Sequence, residues 1–479
     1  MTALIVTAAT RWAEKLRASS DAVIGAGHAP PLHAFDAVPR SPAIDSGPPV
    51  SPNMARAPEI HSIRANFVQT LLFKGLSTPL SLVLVVLQSR YLHTSGRGSF
   101  VLVVLSVSIL ARLLGQLGYA VANRMQAHPR VLHELVHRAF AIGAVLGVLG
   151  TGAIIGWGMV TPGVGLTIAV IAACALVPTI IWQCICGVLL GVGRVRLWNV
   201  IQTLPPVLTG FGMLLIVAVL HGGVRGAVLA WTLAHVLTAL FALAATRDIW
   251  QPLPLDRLLD FFNLPLARLA LTMGAVQVVN LISYRIELFV LDRDRGIAQV
   301  GVYSIAVQTG EMLWLIAGAI ATAVTAPCLH DDEKQAVSLI SRSAGKALAY
   351  SAIVAVGVGA VAPFLISPLL GHAFSGATQP LRLLLPGIVV YAPVTILIVY
   401  LSVRRGKPEL SLAVSIVGML ATLAAALILI PSHGASGAAL ASTIGYVAAA
   451  TLAWAFLRRL AGEAPAVPAT TPEAAAART

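Results

Sequence analysis

Apolar runs of about 20 residues recur along most of this chain, and they leave few folds open to it. A helix of that length spans the hydrocarbon core of a bilayer and satisfies its backbone hydrogen bonds internally. The runs lack the strict alternation of apolar and polar residues that membrane β-strands show. Only 11% of the residues are charged, against roughly 25% in soluble domains. The sequence therefore predicts an all-α integral membrane protein.

Twelve transmembrane helices are predicted between two tails of different composition. Residues 1–65, rich in Pro, Ala and Ser, and residues 461–479 are predicted to be disordered. The predicted spans are 66–91, 99–122, 139–160, 165–190, 197–220, 224–245, 264–291, 300–326, 344–370, 381–402, 410–431 and 436–457.

Basic residues in the short connections predict the orientation. Alternate connections are rich in Arg and Lys, as at Arg124, Arg130 and Arg138, whereas the other set holds few, among them Arg97 and Arg225. Because Lys and Arg concentrate in cytoplasmic loops, both termini are predicted to be cytoplasmic, which requires an even number of helices. These loops also account for the net charge of +13, so we expect no nucleic-acid partner.

Two short motifs recur in the second half of the chain at nearly the same offset. GRGSF at 96–100 opens the second span and VGVYS at 300–304 the eighth; HGGVRGAVLA at 221–230 opens the sixth and HGASGAALA at 433–441 the twelfth. This repeat predicts two pseudo-symmetric six-helix lobes, a transporter arrangement with cargo between the lobes. The predicted lobes are 66–245 and 264–460, and the cytoplasmic linker between them is 246–263.

Polar side chains follow one face of helices 1, 2, 7 and 8, which the repeat makes equivalent. The four stripes are Thr70, Lys74, Ser77, Ser81 and Gln88; Ser108, Arg112, Gln116, Tyr119 and Asn123; Gln277, Asn280, Tyr284 and Glu287; and Ser304, Gln308 and Glu311. Ionisable groups within a bilayer are costly unless they face a cavity or a partner. We therefore expect the four stripes to line one central cavity.

Arg112 and Lys74 are the candidate anion ligands within this cavity. Each lies roughly 12–15 Å from the cytoplasmic end of its helix, at 1.5 Å per residue. Two cations at one depth could hold a pyrophosphate, with the guanidinium forming paired hydrogen bonds. Alternatively, each cation pairs with a carbonyl or a carboxylate and stabilises the bundle. The candidate neutral ligands of the cargo are Gln116, Asn280, Gln277 and Gln308.

Glu311, Glu287 and Arg285 are the candidates for coupling or gating. The two carboxylates could bind a coupling cation, or they could bridge to basic residues as a gate. Arg285 and Glu287 are two residues apart and point to different faces, so we expect Arg285 to extend to the membrane surface instead. No metal-ligand spacing is present and no bound cofactor is expected; an H⁺ or Na⁺ gradient or the membrane potential is the expected energy source.

Several segments together resemble one family of membrane proteins. RYLHTSGRGSF at 90–100 is similar to the helix 1–2 connection of bacterial polysaccharide-biosynthesis flippases. Further similar segments are VGVYSIA at 300–306, LRLLLPG at 381–387, RGKP at 405–408 and LIPSHGASGAALA at 429–441. The resemblance covers roughly 64–460 and is to the oligosaccharidyl-lipid branch of the multidrug/oligosaccharidyl-lipid/polysaccharide (MOP) exporter superfamily.

The resemblance implies a V-shaped, alternating-access flippase for cell-surface polysaccharide biosynthesis. Its cargo would be an undecaprenyl-pyrophosphate-linked oligosaccharide, moved across the bacterial inner membrane among the membrane lipids. A polysaccharide polymerase or other assembly proteins would be its partners. Arg112 is at a position similar to a cavity arginine of the related lipid II flippases, which generally have two further helices. Glu287 stands where the family commonly has Asp.

Two other functions stay open from the residues. A cation-coupled multidrug antiporter of the same superfamily would need a carboxylate for its ion, yet helices 1 and 2 carry Lys74 and Arg112 and no Asp or Glu. An integral-membrane glycosyltransferase or ligase is suggested by Asp292 and Asp294, whose spacing could hold a metal on a sugar phosphate. They lie in a short predicted loop, which is more typical of a solvated turn. We therefore expect a transporter and not an enzyme.

Overall fold

The computed structural model describes residues 63–125, 132–250, 264–330 and 332–462, with side chains from residue 80 onward in the first range. The regular secondary structure of these residues is helical throughout. The two predicted tails and most of the predicted linker lie outside the described residues.

Ten helical segments within the described residues are long and apolar enough to cross a membrane, and two of them contain a sharp reversal. His93 (φ 56°) and Gly434 (φ 54°) interrupt segments of 52 and 54 residues, so each segment holds two helices. The twelve helices are 63–92 (α1), 94–125 (α2), Leu132–Val160 (α3), Leu166–Gly191 (α4), Val195–Val219 (α5), Gly223–Ala245 (α6), 264–295 (α7), 297–330 (α8), Glu333–Leu370 (α9), His372–Arg404 (α10), 408–433 (α11) and 435–461 (α12).

Tight connections join each odd-numbered helix to the next helix at one end of the bundle, which we call the His93 end. Each of these six connections passes through a residue with positive φ: His93, Gly165, His221, Gly296, Gly371 and Gly434. Because the helices are twelve in number, residues 63 and 462 both lie at the opposite end. The prediction that this opposite end is cytoplasmic stays a prediction.

The two lobes, α1–α6 and α7–α12, meet where α1 and α2 pack against α7 and α8. Glycine permits backbone contact at this interface. A Cβ atom on Gly98 would lie 2.0 Å from the carbonyl oxygen of Ile297, and one on Gly301 would lie 1.9 Å from that of Thr94. Both glycines belong to the recurring motifs, so the repeat marks the surface on which the lobes touch near the His93 end.

Large apolar side chains are exposed on the flanks of both lobes, among them Leu149, Phe211, Phe364 and Ile428. Such a surface suits acyl chains and would be unfavourable in water. The prediction of an all-α membrane protein with twelve helices in two six-helix lobes is confirmed. Several predicted helix bounds were wrong: α3, α9 and α10 begin at Leu132, Glu333 and His372 rather than at 139, 344 and 381. The start of α2 matters most for the site. It lies at residue 94 rather than 99, because the chain reverses at His93, and this places Arg97 within a helix instead of a loop.

Candidate functional site

A cavity of about 310 Å³ lies between the two lobes. Its walls come from α1, α2, α4 and α6 of the first lobe and from α7 and α8 of the second. No Asp or Glu is among the described residues that line it, so its formal charge comes from two arginines. The polar lining residues are Gln88, Ser108, Arg112, Thr179, Gln183, Trp231, His235, Arg285 and Gln308.

Arg112 projects into this cavity from α2 as an exposed side chain. Its guanidinium makes no hydrogen bond or ion pair with any described residue, so its donors are available to a ligand. A carboxylate or phosphate is the partner that a guanidinium fork matches best.

Arg285 faces the same cavity from the second lobe, and it is held by Glu311 of α8. Nη1 donates to Oε1 at 2.5 Å and Nη2 to Oε2 at 2.6 Å, which forms a two-bond ion pair. The side chains are 22% and 18% exposed. The expectation that Arg285 extends to the membrane surface was wrong, because a carboxylate lies within reach inside the protein. Glu311 therefore bridges to a basic residue across α7 and α8.

Four of the helices that line the cavity are interrupted by a turn close to it. The interruptions are at 115–116 in α2, 174–175 in α4, 284–285 in α7 and 312–313 in α8. Arg285 lies in one of these turns, while Glu311 immediately precedes another. Within a membrane, irregular backbone is tolerated where it is buried in protein or lines a cavity, and broken helices commonly mark transporter binding sites.

Arg97 lies directly behind the cavity wall and is fully buried. Its guanidinium donates to Gln88 Oε1 (3.0 Å) and Ser89 Oγ (3.4 Å) on α1, and to Ser304 Oγ (2.8 Å) and Gln308 Oε1 (2.7 Å) on α8. All of these described partners are neutral. Since α1 and α8 belong to different lobes, one side chain of α2 connects both lobes and also orients two glutamines of the cavity wall.

Three of the predicted site residues line the cavity and most of the others do not. Arg112, Gln308 and Arg285 line the cavity, whereas Gln116 is buried in the turn of α2 and the side chain of Lys74 lies outside the described residues. The remaining predicted residues, Gln277, Asn280, Glu287 and Glu311, do not line it.

The prediction that the polar stripe of helix 7 lines the cavity was wrong. Asn280 accepts a hydrogen bond from Ser415 of α11 at 2.7 Å, and Tyr284 packs against Trp314, Tyr391 and Tyr446. That face therefore turns into the second lobe, where polar groups find partners. The adjacent face, about 100° around the helix, lines the cavity instead, and it carries Arg285 between Leu281 and Leu288.

Glu287 is buried inside the second lobe and is 1% exposed. Its Oε1 accepts a hydrogen bond from Tyr303 at 3.3 Å, and the same hydroxyl lies 3.0 Å from Ser442 Oγ. The other carboxylate oxygen has no partner among the described residues. A buried carboxylate with one free oxygen can take a proton or accept from a further donor.

Sequence reasoning missed the cavity residues that α4 and α6 contribute, namely Thr179, Gln183, Trp231 and His235. It also treated Arg97 as a loop residue. A polar side chain within an apolar run was the available signal for His235 and Gln183, since they stand as isolated polar residues in their spans.

Solved membrane transporters have the same fold. A multidrug resistance MATE family transporter of the MOP superfamily, inward-facing, aligns with a TM-score of 0.68 at 19% identity over 80% of this chain and 94% of that one. Lipid II flippase MurJ, inward closed, gives 0.69 at 12% identity over 82% and 87%. A MOP superfamily transporter from Pyrococcus furiosus gives 0.59 at 19% identity over 82% and 94%.

No protein-family model and no curated protein sequence matches the chain. The structural similarity extends over most of both chains in each comparison, but the identities are all below 20%. Such similarity establishes the fold but not the cargo. The chain has the two-lobed, all-helical fold of the MOP superfamily transporters.

Proposed function

We propose that this protein is a flippase that translocates an undecaprenyl-pyrophosphate-linked oligosaccharide across the bacterial inner membrane for cell-surface polysaccharide biosynthesis. The observation that carries the proposal is the guanidinium of Arg112, which has no partner among the described residues and lies in an interlobe cavity that Arg285 also lines. Arg285 is paired with Glu311, so the uncompensated charge on the described walls is that of Arg112, and a positively charged wall favours an anion. A pyrophosphate joined to a sugar supplies that anion.

Alternating access gives this cavity its role in transport. Cargo would enter with the lobes apart at one end and leave with the lobes apart at the other, while Arg112 of the first lobe and Arg285 of the second hold the pyrophosphate between them. In the present arrangement Arg285 is paired with Glu311. This ion pair would break when Arg285 binds the cargo anion. The similarity to a lipid II flippase supports a lipid-linked cargo of this kind.

Polysaccharide export in cells tests the proposal. Variants Arg112→Ala and Lys74→Ala would be expressed in a strain that lacks the chromosomal gene, at protein levels matched to the wild type. We expect both to lower surface polysaccharide about tenfold or more, as loss of a charged ligand contact predicts. Arg225→Ala is the matched control, since Arg225 is an exposed arginine at the start of α6 outside the cavity. Full export by both the Arg112→Ala and the Lys74→Ala variant would contradict the proposal.

A cation-coupled multidrug antiporter is the second candidate, and Glu287 is the observation that favours it. A buried carboxylate with a free oxygen suits an H⁺ or Na⁺ site within the second lobe. The cavity disfavours a cationic drug, because the charge of Arg112 would repel it while that of Arg285 is compensated by Glu311. Efflux of a cationic dye from cells, abolished by Glu287→Gln and unaffected by Arg112→Ala, would favour the antiporter.

The energy source and the partners follow from the same proposal. We expect transport to depend on an H⁺ or Na⁺ gradient or on the membrane potential, and a polysaccharide polymerase or other assembly proteins to receive the cargo. Proteoliposomes with each gradient imposed separately would identify the energy source. Genes for glycosyltransferases and a polymerase beside this one would support the flippase, whereas an isolated efflux operon would favour the antiporter.

A further inference from the structure

One wall of the interlobe cavity carries hydrogen-bonding and aromatic groups but no formal charge. It consists of Thr179 and Gln183 from α4 with Trp231 and His235 from α6, and we call it the α4–α6 face. All four residues belong to the first lobe, as does the neighbouring cation Arg112. The cavity therefore has a cationic part and a separate neutral part.

The imidazole of His235 is held in one orientation. Its Nδ1 lies 2.9 Å from the carbonyl oxygen of Trp231, one helical turn earlier, so Nδ1 is the nitrogen that donates. The ring lies 4.3 Å from that of Trp231 and 6.2 Å from that of Trp182, centroid to centroid. In the neutral imidazole Nε2 is then an acceptor, and it has no hydrogen-bond partner among the described residues.

These groups match the chemistry of a sugar ring. A pyranose has C–H groups on its faces, which pack on an indole such as that of Trp231, and hydroxyls around its edge. Those hydroxyls require neutral donors and acceptors. The amide of Gln183 provides both, whereas Nε2 of His235 and the hydroxyl of Thr179, which donates to the Ala175 carbonyl oxygen at 2.6 Å, can accept. A few polar groups among aromatic and apolar neighbours are the usual composition of a small-molecule site.

The size of the cavity limits how much cargo this face can contact. A volume of about 310 Å³ is at the small end of the range for ligand pockets, so it admits a phosphate group with an adjoining sugar and not a whole oligosaccharide. An anion held by Arg112 would place the first sugar beside the α4–α6 face, since both line one cavity of this size.

We propose that the α4–α6 face is a glycosyl subsite, which binds the sugar next to the cargo phosphate and determines which sugar the protein accepts. This inference rests on the proposed function, because the phosphate contact at Arg112 positions the sugar. Trp231 supplies the stacking surface, while His235 and Gln183 select the hydroxyl arrangement.

Calorimetric titration of the purified full-length protein tests the subsite. The probes are inorganic phosphate, inorganic pyrophosphate and a panel of hexose and N-acetylhexosamine 1-phosphates. We expect at least one glycosyl phosphate to bind more tightly than inorganic phosphate. Trp231→Leu and His235→Leu should weaken that binding about tenfold and leave pyrophosphate affinity within about twofold, since each removes one sugar contact. Trp231→Phe, which retains an aromatic ring, should recover much of the loss.

Two controls separate the possible outcomes. Arg112→Gln should weaken every probe, whereas Trp454→Leu, a substitution on α12 outside the cavity, should weaken none. The subsite is overturned if no glycosyl phosphate exceeds inorganic phosphate, or if the Trp231 and His235 variants lose both probe classes equally. Failure of the wild type to bind pyrophosphate would instead overturn the proposed function itself, together with the subsite.

Discussion

Arg97 shows how one side chain can connect two lobes inside a membrane protein. A buried charge is costly unless its hydrogen-bonding groups are satisfied. The guanidinium meets this requirement through neutral side chains on α1 and α8 and through the carbonyl oxygen of Val85 at 3.3 Å. A planar fork with five donors suits this arrangement, whereas an ammonium group with three donors on a flexible stem does not.

Arg97→Lys should therefore destabilise the contact between the lobes. We expect a loss of about 2 kcal/mol in unfolding free energy, because at least one buried acceptor loses its charged donor. Unfolding in detergent, followed by circular dichroism, would measure it. Arg225→Lys changes an exposed arginine and should have almost no effect. Equal stability of Arg97→Lys and the wild type would contradict this view of the network.

The Arg285–Glu311 pair gives a second test at the scale of single residues. Loss of either partner leaves the other charge partly buried and unpaired, so the single variants should be more destabilised than the double variant. A double-mutant cycle with Arg285→Ala and Glu311→Ala should give a coupling energy of about 2 kcal/mol.

The neighbouring pair Arg293–Asp294 is the control for that cycle. Its arginine is 66% exposed, so solvent screens the pair and its coupling energy should be much smaller than that of Arg285 and Glu311. Equal coupling in the two pairs would show that Arg285 and Glu311 interact no more strongly than a surface pair does.

At the scale of helices, the contact of α2 with α8 depends on residues that lack a side chain. Gly98 and Gly301 let a backbone carbonyl from the facing lobe approach where a Cβ atom would otherwise stand. Backbone contact through small residues is a common mode of helix association in membranes. The lobes thus meet at the His93 end through α2 and α8, and Arg97 binds across the same contact.

Gly301→Ala and Gly318→Ala, both on α8, should affect stability differently. A Cβ atom at Gly301 would lie 1.9 Å from the Thr94 carbonyl oxygen, which forces α2 and α8 apart, whereas none of the described atoms lies within 4 Å of the position at Gly318. Gly301→Ala should lower the unfolding midpoint, and Gly318→Ala should leave it unchanged or raise stability by up to about 1 kcal/mol. A midpoint unchanged by Gly301→Ala would show that the lobes do not depend on this contact.

For the whole molecule, the sequence predicted the architecture better than the site. Twelve apolar runs and two recurring glycine motifs were sufficient for the helix number and the lobes, because bilayer thickness fixes helix length. Arg112 and Gln308 were also correctly expected at a central cavity. The spacing of polar residues along one helix does not reveal, however, which other helix or cavity that face contacts. Asn280 and Glu287 therefore turned out to have partners within their own lobe, and His235 on α6 was missed.

Translocation in proteoliposomes tests most directly the claim that the interlobe cavity carries a lipid-linked anion. The purified protein would be reconstituted with a fluorescent polyprenyl-pyrophosphate oligosaccharide, and transfer between leaflets would be followed by loss of fluorescence to a membrane-impermeant quencher. We predict transfer by the wild type and by Arg225→Gln, and a reduction of about tenfold or more for Arg112→Gln. Transfer by Arg112→Gln at the wild-type rate, or none by the wild type, would contradict the account.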